Sequence, residues 1–188
     1  MKFFGCGKSW NQFDTPVCAS VFALPTVPGG TRWRCLIDTN VLIYATIPGF
    51  PEHSKARSVL EEILEGAAQH YLTWVNVFEY LRTVTHRRLV RPAPLPLRTA
   101  LANVRGLLEH PRISRIDPGP DHLDVFDSVC REAGVVEGNF IHDCRIAAVM
   151  RENRVSRILT RDTSFRRIPG IEVIDPFDAG RNSERPET

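Results

Sequence analysis

The chain has 188 residues, of which 43% are hydrophobic and 24% are charged, and its formal net charge is +2. This length is most simply one domain with tails, and the hydrophobic share is enough for a core. The sequence contains no run of about 20 apolar residues, which a membrane span would need. So small a net charge does not by itself establish a polyanionic partner.

The five cysteines exclude two common small-protein scaffolds. They form no C-x-x-C pair and are odd in number, so they indicate neither a zinc site nor a disulfide framework. Cys35 and Cys144 stand within apolar patterns and are interpreted as small core residues. We therefore expect a reducing, cytoplasmic environment.

The two ends of the chain differ from its middle. Residues 1–30 contain three prolines, end in Gly29-Gly30 and show no periodicity. They are interpreted as a flexible extension or as a start site assigned too early. A cleaved signal peptide is disfavoured, because Asp14 precedes the short apolar run and basic residues before it are few. Residues 178–188 are predicted to be a disordered tail, which leaves one domain at 31–177.

Between these ends the apolar pattern alternates between strand-like and helix-like segments. Strands are predicted at residues 33–37, 71–72, 112–116, 156–160 and 171–174. Helices are predicted at residues 40–46, 51–64, 73–82, 97–108, 122–133 and 139–153. Thr73 is the expected N-cap of the third helix. The alternation predicts an α/β fold, a three-layer sandwich whose mainly parallel central sheet is flanked by helices.

Four carboxylates stand where these elements begin or end. Asp38 and Asp162 each follow a strand, and ligands bind beyond the carboxyl ends of parallel strands. Asp143 begins a helical face that otherwise looks buried, and Glu79 lies on an apolar helix. Converging acids repel one another, and divalent cations would remove that repulsion. Oxygen-only ligands favour Mg²⁺, with Mn²⁺ as a substitute, over zinc. The pattern therefore predicts a metal-dependent centre that hydrolyses phosphodiesters.

Each acid also has an ordinary local explanation. Asp38 could cap the helix that follows it, and Glu79 could be a surface acid paired with Arg82. Asp143 could complement a helix dipole, and Asp162 could belong to a turn. The order and context of all four acids together favour the shared site.

Several segments, in chain order, resemble the PIN domain, a nuclease fold typical of VapC toxins. The opening motif is LIDTNVL at residues 36–42, followed by the helix with its inner glutamate at 73–82. DCRIAA at 143–148 resembles the family's D-x-x-I-A-A helix, and LTRDTSF at 159–165 resembles its T-x-D-x-x-F segment. Residues 171–176 resemble the final strand of the family, and the match covers about 34–177.

This resemblance implies a metal-dependent endoribonuclease that acts on structured RNA such as transfer or ribosomal RNA. It also implies a cognate antitoxin whose C-terminal segment enters the active-site groove, and usually a homodimer. Such toxins usually start a few residues before the first aspartate, so residues 1–30 depart from the pattern. Carried over residue by residue, the resemblance makes Asp38 and Asp143 the main Mg²⁺ ligands. Glu79 and Asp162 complete the pocket, and Asn40 and Thr160 orient these acids.

Substrate contacts are predicted at arginines near two of the acids. Arg82, Arg87 and Arg88 follow Glu79, and Arg161 precedes Asp162. They could hold RNA phosphates, although a basic run is more often a solvated face. His86 and His142 are assigned no catalytic role.

Three other functions are alternatives to the ribonuclease. A haloacid-dehalogenase-type phosphatase needs a second acid two residues after the first, and Asn40 in that place counts against it. A catalytically silent RNA-binding module would be expected to have lost at least one of the four acids. A DNA nuclease of related fold stays open, because the metal chemistry does not distinguish ribose from deoxyribose.

Overall fold

The computed structural model describes residues 34–90, 93–134 and 136–178. The predicted N-terminal extension and nearly all of the predicted tail lie outside these residues. The described residues form five strands and six helices. The strands are β1 (Arg34–Ile37), β2 (Gln69–Leu72), β3 (Ile113–Arg115), β4 (Arg157–Leu159) and β5 (Glu172–Ile174). The helices are α1 (Thr39–Thr46), α2 (His53–Glu65), α3 (Trp74–Val84), α4 (Leu97–Leu108), α5 (His122–Ala133) and α6 (Phe140–Glu152).

The five strands form one parallel sheet in the order β3-β2-β1-β4-β5. The chain builds outward from β1 through β2 to β3, then returns to the other side of β1 with β4. This reversal creates a topological switch point between β1 and β4, where open parallel sheets leave a crevice at their carboxyl ends. The fold therefore places the residues after β1 and β4 side by side.

Two hydrophobic cores cover the two faces of the sheet. The alternation of side chains along β1 shows the division: Cys35 and Ile37 belong to one core, whereas Leu36 belongs to the other. The first core is built with α1 to α4, and the second is built with α5 and α6. The predicted three-layer α/β sandwich is confirmed.

Most predicted elements coincide closely with the observed ones. The bounds of α4 and α5 agree with the predicted 97–108 and 122–133. Thr73 caps α3 in a capping box with Asn76, as the sequence indicated for Thr73. A short 3-10 helix at Thr163–Arg167 was not predicted. Within the described residues, no helix is long and apolar enough to cross a membrane.

Candidate active site

Four acids from separate elements surround one cavity of about 280 Å³ at the carboxyl edge of β1 and β4. Asp38 follows β1, Glu79 lies on α3, Asp143 on α6, and Asp162 follows β4. The lining residues are Asp38, Thr39, Asn40, Ile43, Glu79, Asn139, His142, Asp143, Ile146 and Asp162. None of these is a lysine or an arginine, so the cavity suits a cation.

Asp38 forms the buried end of the cavity and is only 7% exposed. Its Oδ1 accepts the backbone N–H of Thr39 at 2.7 Å and, at 3.4 Å, a long bond from Asn76. Its Oδ2 accepts the Thr160 hydroxyl at 2.6 Å and the Asn40 amide at 2.8 Å. Four donors therefore fill the carboxylate and fix its orientation.

The other three acids form a more open rim. Glu79 and Asp162 are exposed, and Asp143 is half-buried. Glu79 Oε2 accepts the Thr39 hydroxyl at 3.0 Å. Asp143 Oδ2 accepts the Ser164 hydroxyl at 2.6 Å, and Asp162 Oδ1 accepts the Ser164 N–H at 2.8 Å. From the described residues, the second oxygen of each rim acid accepts no hydrogen bond.

The acids repel one another across the cavity. The pKa of Asp38 is raised to about 6, first by burial and then by the charges of Glu79 and Asp143, although its hydrogen bonds oppose the rise. Burial is also the first cause that raises the pKa of Asp143, with further contributions from Asp162 and Glu79 against the Ser164 hydrogen bond. A cation in the cavity would relieve this cost of collecting like charges.

The cavity also contains an unsatisfied polar atom. Asn40 lines it and donates through Nδ2 to Asp38 and Thr160, but its buried Oδ1 has no hydrogen-bond partner. Such an atom costs free energy unless a water or an ion reaches it. In the part of the chain that the structure describes, however, no three His, Cys, Asp or Glu side chains are grouped closely enough to form a metal site as they stand.

The local explanations of the acids prove partly correct. Asp38 caps α1, and Asp162 caps the 3-10 helix through the N–H of Ser164. These caps coexist with their places in the cavity, since each carboxylate has two oxygens. No ion pair joins Glu79 to Arg82 among residues 34–90, 93–134 and 136–178.

Several polar residues around the acids were missed by sequence reasoning. Thr39 and Ser164 follow Asp38 and Asp162 by one and two residues, so their backbone position could have indicated them. Asn76 is fully buried and joins Thr73 to Thr39. Its place three residues after the N-cap is the capping-box position, which was a usable signal.

The predicted substrate arginines lie outside the cavity lining. Arg82, Arg87 and Arg88 are exposed at and beyond the end of α3. Arg161 is exposed and forms an ion pair with Glu52. Their roles in holding RNA stay predictions.

Comparison with known proteins identifies the family. A model described as the PIN domain matches residues 35–171. Ribonuclease VapC48 of Mycobacterium tuberculosis is 32% identical over 140 residues, which cover 74% of this chain and 95% of that protein. Ribonuclease VapC33 of the same organism is 33% identical over 140 residues, covering 74% of this chain and 96% of that protein.

A solved structure supports the same fold. The VapBC2 structure from Rickettsia felis, bound to a fragment of promoter DNA, matches with a TM-score of 0.53 and 17% identity. The match covers 75% of this chain and 97% of the other. At that identity the likeness shows the fold alone. Together with the family model and the two relatives, it shows that this chain belongs to the PIN-domain family, within its VapC group.

Proposed function

We propose that this chain is the ribonuclease toxin of a type II toxin–antitoxin system, and that Asp38, Glu79, Asp143 and Asp162 form its Mg²⁺-dependent catalytic centre. The observation that carries the proposal is the convergence of four acids from four elements on one cavity without a basic side chain. Membership of the VapC group supports ribonuclease activity, since the relatives are named for it.

The donor set, rather than the present spacing of the acids, fits a Mg²⁺ centre. Glu79, Asp143 and Asp162 each offer a free oxygen, and Asp38 would exchange its longest hydrogen bond, from Asn76, for the ion. Asn40 Oδ1 would gain a partner from the hydration of the ion. Once bound, Mg²⁺ supplies the charge that polarises a phosphodiester and activates water. Mn²⁺, which accepts the same ligands, would substitute.

The chain's own residues supply orientation. Thr160 donates to Asp38 and accepts the N–H of Asp162 at 2.9 Å, so one hydroxyl joins the two acids after β1 and β4. Asn40 donates to both Asp38 and Thr160. These two residues hold the acids in fixed relation while the substrate binds.

The proposal extends to the molecules that this chain binds. The substrate is a structured RNA such as transfer or ribosomal RNA, and Arg82, Arg87, Arg88 and Arg161 contact its phosphates. A cognate antitoxin is supported by the VapBC2 neighbour. The toxin acts as a homodimer in the cytoplasm.

Cleavage assays test the proposal. The antitoxin-free chain is incubated with total RNA and with matched RNA and DNA oligonucleotides, in Mg²⁺ or in chelator. Asp38→Asn and Asp143→Asn are compared with Asp127→Asn, which changes an exposed acid paired with Arg131 on α5. We expect discrete RNA fragments whose formation requires Mg²⁺, Asp38 and Asp143 but not Asp127.

Two outcomes would contradict the proposal. Cleavage of DNA alone would favour a DNA nuclease. RNA binding without cleavage, in a folded protein that binds Mg²⁺, would favour a silent RNA-binding module.

A further inference from the structure

Thr39, the first residue of α1, is bonded to two of the acids. Thr39 gives its backbone N–H to Asp38 Oδ1 at 2.7 Å and its hydroxyl to Glu79 Oε2 at 3.0 Å. Asn76 Nδ2 donates to the same hydroxyl oxygen at 3.2 Å. Because a lone pair of that oxygen is occupied by Asn76, the hydroxyl hydrogen is directed toward Glu79.

Ser164, in the 3-10 helix after β4, repeats this arrangement. Ser164 gives its N–H to Asp162 Oδ1 at 2.8 Å and its hydroxyl to Asp143 Oδ2 at 2.6 Å. At both positions the backbone N–H holds the acid that is nearby in the chain, and the hydroxyl holds an acid on a distant helix. Since β1 and β4 are adjacent parallel strands, the four acids are divided into two bridged pairs at one edge.

Each hydroxyl bond also selects which oxygen remains free. Glu79 is exposed and has three rotatable side-chain bonds, so without a partner it would sample many orientations and turn away from the other acids. The bond to Oε2 leaves Oε1 without a donor from the described residues, and the bond to Asp143 Oδ2 leaves Oδ1 in the same state.

We propose that Thr39 and Ser164 are positioning residues, whose hydroxyls hold Glu79 and Asp143 in the orientation that binds a divalent cation. This inference rests on the proposed function, because it assigns the cation to the same cavity. Neither hydroxyl takes part in the reaction, and each acts through the carboxylate it holds.

The test removes each hydroxyl while it keeps the backbone donor. Thr39→Val and Ser164→Ala are titrated with Mn²⁺, with binding followed by electron paramagnetic resonance and calorimetry. We expect each variant to bind Mn²⁺ about 10-fold more weakly, as is usual for residues that orient metal ligands. In subsaturating Mg²⁺, the kcat for RNA cleavage should be lower in each variant than in the natural chain. The KM for RNA should stay within about twofold of the natural value.

Two kinds of control separate positioning from general damage. Thr39→Ser and Ser164→Thr restore the hydroxyls and should recover most of the Mn²⁺ affinity. Ser128→Ala removes a hydroxyl bonded to the Glu132 carboxylate at 2.9 Å, on α5 and away from the cavity. It should bind Mn²⁺ as the natural chain does.

The outcomes distinguish the two proposals. Mn²⁺ affinity unchanged in Thr39→Val and Ser164→Ala, with the natural chain still binding Mn²⁺ and cutting RNA, would overturn the positioning roles alone. An equal loss of affinity in Ser128→Ala would overturn them too. If the natural chain binds no Mn²⁺, the metal centre itself is refuted.

Discussion

The buried end and the open rim of the acid cavity are held in different ways. Asp38 is almost enclosed and accepts hydrogen bonds from four donors. Glu79 and Asp162 are exposed, and each accepts one hydrogen bond. The difference indicates that both oxygens of the buried acid are fixed by the fold, whereas each exposed rim acid is held through one oxygen only.

The largest expected effect is on catalysis and contrasts the two ends directly. Asp38→Asn should lower RNA cleavage by about 1000-fold, because it removes the charge that is most rigidly placed. Asp162→Asn should lower it by about 10–100-fold, as for residues that tune a metal site from its edge. Single-turnover rates at saturating Mg²⁺ measure both, with circular dichroism to check the fold. Equal losses would remove the distinction between the buried end and the rim.

Ion binding should stabilise the fold through the rim. Mg²⁺ at about 100 times its dissociation constant adds about 2.7 kcal/mol to the free energy of unfolding of a protein that binds it only when folded. We expect a corresponding rise in melting temperature for the natural chain, and none for Asp143→Asn. Thermal melts with Mg²⁺ and with chelator provide the measurement. The same rise in both proteins would mean that Mg²⁺ acts elsewhere.

The Asp38 carboxyl at the buried end of the cavity should make the metal-free protein more stable at pH 5 than at pH 7.5. The pKa of Asp38 is raised to about 6 in the folded chain, whereas the ordinary value of 3.8 applies to the unfolded chain. As the pH falls from 7.5 to 5, the folded chain takes up a proton that the unfolded chain does not yet bind. The free energy of unfolding should therefore rise by about 1.4 kcal/mol from this group.

Urea denaturation in chelator at the two pH values measures this rise. Asp38→Asn is the control, because it lacks the titrating carboxyl but keeps every other group, including the buried His70, whose pKa is lowered by burial. The difference between the two proteins isolates Asp38. A difference of zero or of opposite sign would contradict the raised pKa.

The smallest effects are expected from arginines beyond the rim. Arg87→Ala and Arg88→Ala should each raise KM for RNA about threefold and reduce its salt dependence, with kcat unchanged. Arg161→Ala should do less, since its ion pair with Glu52 already competes for the guanidinium. Arg131→Ala, on α5 and paired with Asp127, is the control. KM values indistinguishable from the control would leave these arginines as a solvated face.

The fold was predictable from the sequence because its signals are local. Apolar periodicity defined α4 and α5, and the threonine before α3 acts as the N-cap that its position predicted. The alternation of strands with helices predicted the parallel sheet, although β2 begins two residues earlier than the predicted 71–72. The 3-10 helix was missed because five residues are too few to show a helical period.

Local patterns singled out the four acids, and the family resemblance also named Asn40 and Thr160 as the residues that orient them. The acids stand at element boundaries, which local patterns reveal. Local patterns could not show which donor bonds to which acid, since the bonds span long separations: Thr160 donates to Asp38 across 122 positions, and Thr39 donates to Glu79 across 40. The pairing of hydroxyls with carboxylates depends on how the elements pack at the carboxyl edge of the sheet. No local sequence pattern contains that information.

The strand order also governs when a newly made chain could become active. Domains emerge from the ribosome N-terminal end first, but β4, which forms late in the chain, must insert beside β1 before the N–H of Asp38 can bond to the carbonyl of Leu159 at 3.0 Å. A nascent chain that has emerged only through α6 carries three of the four acids and lacks this strand. The four-acid cavity can therefore form only after β4 and Asp162 have been synthesised, since a chain that ends at α6 contains neither.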